Sequence, residues 1–354
     1  MRVLYLLYGY PQASQTYIKT ELEALQADYD IQIISTNQPK VSSPYRNHLP
    51  FQHLSDLGAM REVVEDFRPH VLHGHHLREI HTLSPLARQT NVPFTIRTHS
   101  FDVLERVKKE QMLVKVFGRL ASRSAPRKVR DAAEMVRDDL CLGILAFPFV
   151  RRSLESAGIP SEKIHDCWPV INYDRFYDTS PNADAIMNCG ACIPKKAMND
   201  YIRLGANMPE RNFNLYAIGY KSDDLIAFNE SMGKPVNIVQ QVEPDDMGPE
   251  YKKHEWLVYT ASKEIGTVGW PMAVAEAQAA GVGVCMQNIR PDLKEYVGPA
   301  GFLFDTIHDA MEIIARPFPA ELRDIGFEHA RKSDITGHLT LLTSLWERAL
   351  ERAT

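Results

Sequence analysis

The sequence predicts an α/β protein made of two Rossmann-like, doubly wound parallel-sheet domains that face a central cleft. Three observations carry that prediction. Short apolar runs alternate with helix-length segments along the chain, the pattern of parallel strands joined by crossover helices. The scheme runs through once and starts again at Ile186. A length of 354 residues suits two domains of ordinary size, each able to bury a core.

In the first half, Val3 to Leu7 reads as a strand and Thr16 to Leu25 as a helix patterned by Tyr17, Leu22 and Leu25. Ile31 to Ser35, Val71 to His75, Phe94 to Arg97 and Leu142 to Phe147 read as further strands. The second half gives Ile186 to Cys189, Asn214 to Ile218, Asn237 to Gln240, Leu257 to Tyr259, Val282 to Met286 and Phe302 to Phe304. Periodicity lapses between Pro169 and Ser180, which sets the expected domains at residues 1–168 and 169–336. Leu339 to Leu350 is amphipathic, and residues 337–354 are expected to pack back on the first domain. Two doubly wound units make the cleft between them the expected ligand site.

Composition narrows the class. With 44% hydrophobic and 24% charged residues, neither a disordered chain nor a fibrous repeat fits. A net charge of -5 gives no reason to expect nucleic acid as a partner. Five cysteines, an odd number, do not make a disulfide framework and fit a reducing cytoplasm. The start, MRVLYLLYGYP, is too short for a signal core, and no run approaches the ~18 apolar residues of a membrane span.

The most informative stretch is Val268 to Asp305. Gly269 and Pro271 punctuate its start, Met272 to Ala280 is rich in helix formers, Gly281 stops the helix, and Val282 to Met286 follows as a buried strand. A helix opening after a Gly-Trp-Pro turn offers unpaired N–H groups and a positive dipole end, suited to a diphosphate. Glu276, one turn in, is placed to bring a carboxylate to a neighbouring ribose diol. The plainer reading is an ordinary strand–turn–helix with a surface glutamate.

Further segments carry a resemblance. YGYPQASQTYIKTELEAL (8–25), RPHVLHGHH (68–76), PFTIRTHSFDVL (93–104), RRSLESAGIPSEKIHDCWPVINYDRF (151–176), CGACIPKKAMNDYI (189–202) and the stretch from Val268 occur in order. Together they resemble a GT-B glycosyltransferase, most closely the large retaining family 4. The resemblance covers most of the chain. It implies a nucleotide-sugar donor, a saccharide or lipid-linked saccharide acceptor, no cofactor and no metal.

It also implies roles. His99 becomes the histidine facing the transferred sugar, and Lys196 the cation that neutralises the departing diphosphate. Gly269, Trp270, Pro271, Met272, Ala273 and Glu276 become the donor signature. Gly219 and Tyr220 become a loop where backbone approaches the donor, and Val242 the backbone contact to the base. Ser14, Gln15, Thr16 and Asp102 become acceptor-side groups. Ser14 or Thr16 reads equally well as an N-cap, and Asp102 as a helix cap. His99 reads otherwise as a loop histidine, and the Lys195–Lys196 pair as a solvated loop.

Two positions depart from the family pattern. Ala191 stands where an arginine is usual, with Lys195 as the nearest substitute, and Val268 stands where the first of two glutamates is usual. Glu264 is the neighbour from which a replacement carboxylate is sought. These departures keep open a non-catalytic nucleotide-binding or partner subunit of the same fold. A nucleotide-sugar epimerase is a third reading.

Other features are read as structural. The single Cys189–Cys192 pair lacks the companion ligands of a zinc site. Asp223–Asp224 and Asp245–Asp246 read as solvated loop acids. His73, His75 and His76 cluster, but alternation along a strand end is expected to separate them, against a metal site. Residues 105–130 are strongly basic, with Lys108, Lys115, Arg119 and Arg123 beside a stripe of Leu113, Val116, Phe117 and Leu120. That suits peripheral contact with the inner membrane face or a lipid-diphosphate acceptor, or else a basic solvated face over core residues.

Overall fold

The computed structural model describes the chain apart from residues 39–44, 100–101, 105–126, 220–221, 241 and 352–354. Tyr220 and nearly all of the basic 105–130 segment therefore lie outside the described residues.

The first sheet is built from β1 (Arg2–Leu7), β2 (Asp30–Ser35), β3 (Gln52–His53), β4 (Val71–His75), β5 (Phe94–Arg97), β6 (Cys141–Ala146) and β7 (Ile164–Asp166). All pair parallel, in the order β3-β2-β1-β4-β5-β6-β7. The second comprises β8 (Ala185–Ala191), β9 (Phe213–Ile218), β10 (Asn237–Val239), β11 (His254–Tyr259), β12 (Gly283–Gln287) and β13 (Gly301–Phe304). It too is parallel, in the order β10-β9-β8-β11-β12-β13. The two doubly wound sheets are those expected. β3 and β7 are additions, and at two and three residues they are too short to show a period.

The order reverses between β1 and β4 and again between β8 and β11, and each reversal opens a crevice at the strands' carboxyl ends. β1 sits mid-sheet with Val3 to Leu7 fully buried, which is why its sequence is a continuous apolar run rather than an alternating one. The helix Met272–Ala279 ends where Gly281 takes a left-handed φ of 72°; a side chain there would strike Arg323 and Phe327.

The chain passes from β7 to β8 through residues 167–184 and returns through 331–335. These crossings lie side by side. Ile171 N–H donates to the Ser333 carbonyl at 2.9 Å, and Ile335 N–H donates back to the Ile171 carbonyl at 2.9 Å. The helix Ile335–Glu351 then packs on the first domain, with Trp346 buried and its Nε1 donating to Thr95 Oγ1 at 2.9 Å. Among the described residues, no helix is long and apolar enough to cross a membrane.

Candidate active site

The carboxyl ends of the two sheets enclose a cavity of about 480 Å³. Among the described residues, its lining has four basic side chains, Arg97, Arg175, Lys195 and Lys196, against one carboxylate, Glu276. The balance suits an anionic ligand.

On the second domain, the loop after β8 carries Lys196. Gly190, at φ 131°, lies directly beneath its ammonium: a Cβ there would fall 1.9 Å from Lys196 Nζ. The glycine is what lets the lysine lie back over the strand end. Burial works to discharge this ammonium, but Tyr259 and Cys189 beside it hold its pKa above the ordinary lysine value. Tyr259 also presents its ring 5.3 Å from Nζ.

The helix Met272–Ala279 enters the cavity by its first turn. Met272 and Ala273 line it, and Pro271, the extended N-cap residue, supplies no side-chain cap. Gly269, Trp270 and Pro271 line it as well. Trp270 is held by a stack on Tyr296, with centroids 4.9 Å apart, and by Nε1 donating to Asp292 at 2.9 Å. Glu276 is gripped from behind by Tyr251, whose hydroxyl donates to Oε2 at 2.7 Å. Burial nevertheless raises the Glu276 pKa, with the Tyr251 bond and the Arg175 and Lys196 charges opposing it. Val242 lines the cavity; Gly219, with φ 51°, is not among the lining residues, although Ile218 before it is.

From the first domain, Ser14, Gln15, Thr16 and His99 all line the cavity. His99 is packed between Tyr17 at 4.2 Å and His76 at 4.5 Å, ring centroid to ring centroid. Burial first, then the neighbouring His76, His75 and Arg97, hold its pKa well below the ordinary histidine value. That shift favours the neutral imidazole over the charged one. Asp102 lies behind it rather than in the lining: its carboxylate accepts from Leu77 N–H at 2.6 Å and His99 N–H at 3.2 Å. Asp102 thus fixes the loop that carries His99.

Several expectations need correcting. Neither Ser14 nor Thr16 caps the first helix; Gln15 occupies the cap position and its side chain makes no cap bond, donating instead to the Tyr8 carbonyl at 3.1 Å. Glu264 is exposed and outside the lining, so it does not replace the carboxylate missing at Val268, which is 4% exposed in the cavity wall. Asp245 is no simple solvated acid: it pairs with Lys19 at 2.8 Å and Arg175 at 3.1 Å, and Arg175 reaches Glu23 at 3.0 Å. This cluster ties the domains together. His73 and His75 are two residues apart and so share a strand face rather than being separated. Both converge with Glu21 on a buried cluster whose ligand atoms lie within 4.8 Å of one another.

Tyr17, His76 and Arg175 also line the cavity, beyond the residues the sequence assigns to it. The histidine run was a visible signal. Arg175 had none, because the crossover that bears it lacks periodicity.

Comparisons with known proteins now bear on this geometry. The sequence matches no family model, and no curated protein is similar to it in sequence. Solved structures do match in shape. HepE of Anabaena, in complex with UDP-glucose, superposes with a TM-score of 0.72 at 12% identity, covering 100% of this chain and 99% of its own. Sucrose-phosphate synthase from Thermosynechococcus elongatus gives 0.72 at 14% identity over 100% of both chains. The fold is GT-B. A glycosyltransferase from Rickettsia africae matches with a TM-score of 0.64 at 12% identity over 99% and 98% of the two chains. The GT-B match therefore takes in both sheets and the returning C-terminal helix.

Proposed function

We propose that this GT-B protein is a family 4 glycosyltransferase. It moves a sugar from a nucleoside-diphosphate sugar to a saccharide or lipid-linked saccharide in glycan or polysaccharide biosynthesis, with retention at the anomeric carbon. The observation that carries the reading is the cavity where Lys196 and the first turn of Met272–Ala279 meet, opposite His99. A diphosphate at the helix start meets positive dipole and cation together. That provides for its charge through the protein's own groups, without a metal. HepE, of the same fold, holds UDP-glucose.

In this reading Lys196 stabilises charge developing on the leaving diphosphate, and Glu276, held by Tyr251, accepts from the ribose hydroxyls. Arg175 and Lys195 supply the positive charge that Ala191 does not. His99 meets the transferred sugar as a neutral imidazole, and Ser14, Gln15 and Thr16 offer polar groups to the acceptor. The acceptor hydroxyl attacks from the face the diphosphate leaves, and a phosphate oxygen takes its proton. Closure of the domains excludes water, which otherwise competes as acceptor.

A second reading, a nucleotide-binding subunit without turnover, is favoured by Ala191 and Val268, both in the cavity wall. A thermal-shift screen with nucleoside diphosphates and their sugar conjugates, followed by an assay of diphosphate release, separates the readings. The transferase raises its Tm with a nucleotide and releases diphosphate. Binding without release on any donor and acceptor tried points to the subunit. No shift with any nucleotide sinks both.

A further inference from the structure

Behind His99 runs a polar chain that the reading above does not use. Glu21 lies in the middle of the first helix, Thr16–Leu25, and is 0% exposed. Its Oε1 faces His75 Nε2 at 3.1 Å, and His75 Nδ1 faces His99 Nε2 at 2.9 Å. The rings of His75 and His99 lie edge to edge and nearly coplanar, 16° between planes with centroids 5.1 Å apart, as an in-plane N–H···N bond requires. The Tyr5 hydroxyl donates to the same Oε1 at 2.9 Å, and the other oxygen, Oε2, lies 2.6 Å from Nε2 of His338 in the C-terminal helix.

We propose that Glu21 is a positioning residue: acting through His75, it fixes His99 as the Nε2–H tautomer, leaving the Nδ1 lone pair as the hydrogen-bond acceptor. An ionised carboxylate accepts only, so a neutral His75 must carry its proton on Nε2. His75 Nδ1 is then an acceptor, and His99 Nε2 must be the donor to it. Arg97, 3.6 Å from Glu21 Oε2, already balances the carboxylate, and a second cation in the same dry cluster would be uncompensated. Charged or titratable groups facing the chain are Tyr5, Tyr17, His73, His76, Arg97, Asp102 and His338. Burial lowers the pKa of His73, of His76 to about 3 and of His338 to about 4.

The Glu21, His73 and His75 grouping also has the residue types of a cation site. Two observations speak for the relay instead. Glu21 already receives hydrogen bonds from Tyr5, His75 and His338, and the Arg97 guanidinium beside it repels a divalent ion.

The proposal rests on His99 serving the cavity, but its first test needs no activity. Long-range 1H–15N spectra of the full chain with 15N-imidazole histidine, assigned with His75→Phe and His99→Asn, read the tautomers directly. At neutral pH both His75 and His99 are expected as Nε2–H. An Nδ1–H tautomer at His99, or stoichiometric metal in the purified protein, overturns the proposal. In His75→Phe, if folded by circular dichroism, His99 is expected to lose its single tautomer. Glu21→Gln serves as a second variant, in which the Nε2–H signal of His75 shifts and weakens. Unchanged spectra at His99 in the first and His75 in the second overturn the relay. In the transferase assay, His75→Phe should lower kcat on the order of 10²-fold with donor KM moved little, as for a misplaced group that never touches the donor. Expected tautomers in a protein that binds no nucleotide would sink the transferase reading while the relay stands.

Discussion

A single methyl group at residue 190 tests the cation in the cavity. Gly190→Ala places a Cβ where Lys196 Nζ now lies and strains a backbone at φ 131°. The variant should lose roughly 1–3 kcal/mol of stability in a denaturant titration. Its kcat should approach that of Lys196→Met, which is expected to fall about 10²–10³-fold as an electrostatic donor to the leaving group is removed. A Gly190→Ala protein with unaltered kcat would show that the position of Lys196 over Gly190 does not matter to the chemistry. At this scale, the sequence brings forward residues that sit near one another in the chain. Lys196 and Glu276 lie in segments whose turn and helix signals are local, so their placement could be reasoned. Glu21 could not. Flanked by Lys19, Thr20 and Glu23, it reads as a surface acid, and it is buried only because the sheet and a helix some 300 residues later both cover it.

Among elements, the C-terminal helix Ile335–Glu351 does more than its amphipathic pattern announces. It places Trp346 against Tyr5, Tyr29 and His73, and His338 against Glu21. Trp346→Ala should cost about 3–5 kcal/mol, the usual toll of emptying a fully buried indole site, while Trp346→Phe keeps most of the packing. Chemical denaturation of the two variants checks this; equal midpoints would mean that the helix is dispensable to the first domain. The parallel strands were legible because burial on both faces leaves continuous apolar runs between helical segments. β3 and β7 escaped because two or three residues carry no period. The crossing at 167–184 escaped in a different way: loss of periodicity marks a join but does not say which side chains face the cavity.

For the whole molecule, buried neutral histidines set a pH limit. Burial lowers the pKa of His338 and of His254 from 6.5 to about 4 each. With the folded-state value below the unfolded one, the unfolded chain takes up these protons first as pH falls. The stability they allow is intact above pH 6.5 and is lost on the way down to about 4. The expected slope in this window is roughly 1.4 kcal/mol per pH unit for each histidine. Urea midpoints at pH 7, 6 and 5 should decline steadily, and His254→Asn should flatten the decline; a level profile refutes the account. The cluster of Lys19, Glu23, Arg175 and Asp245 bridges the domains across the cavity rim. Asp245→Ala should therefore widen the ligand-free protein, seen as a larger radius of gyration in X-ray scattering. No change would place the restraint elsewhere.

The paired crossings at Ile171 and Ser333–Ile335 also order the protein's birth on the ribosome. The first domain precedes the second in the chain, yet its covering helix is translated only after the entire second domain. While residues 185–330 are being made, the emerging first domain has Glu21 without His338 and Thr95 without Trp346. The earlier of the two domains is thus the one completed later, and a nascent chain stalled before residue 335 exposes the apolar surface that Trp346 later covers.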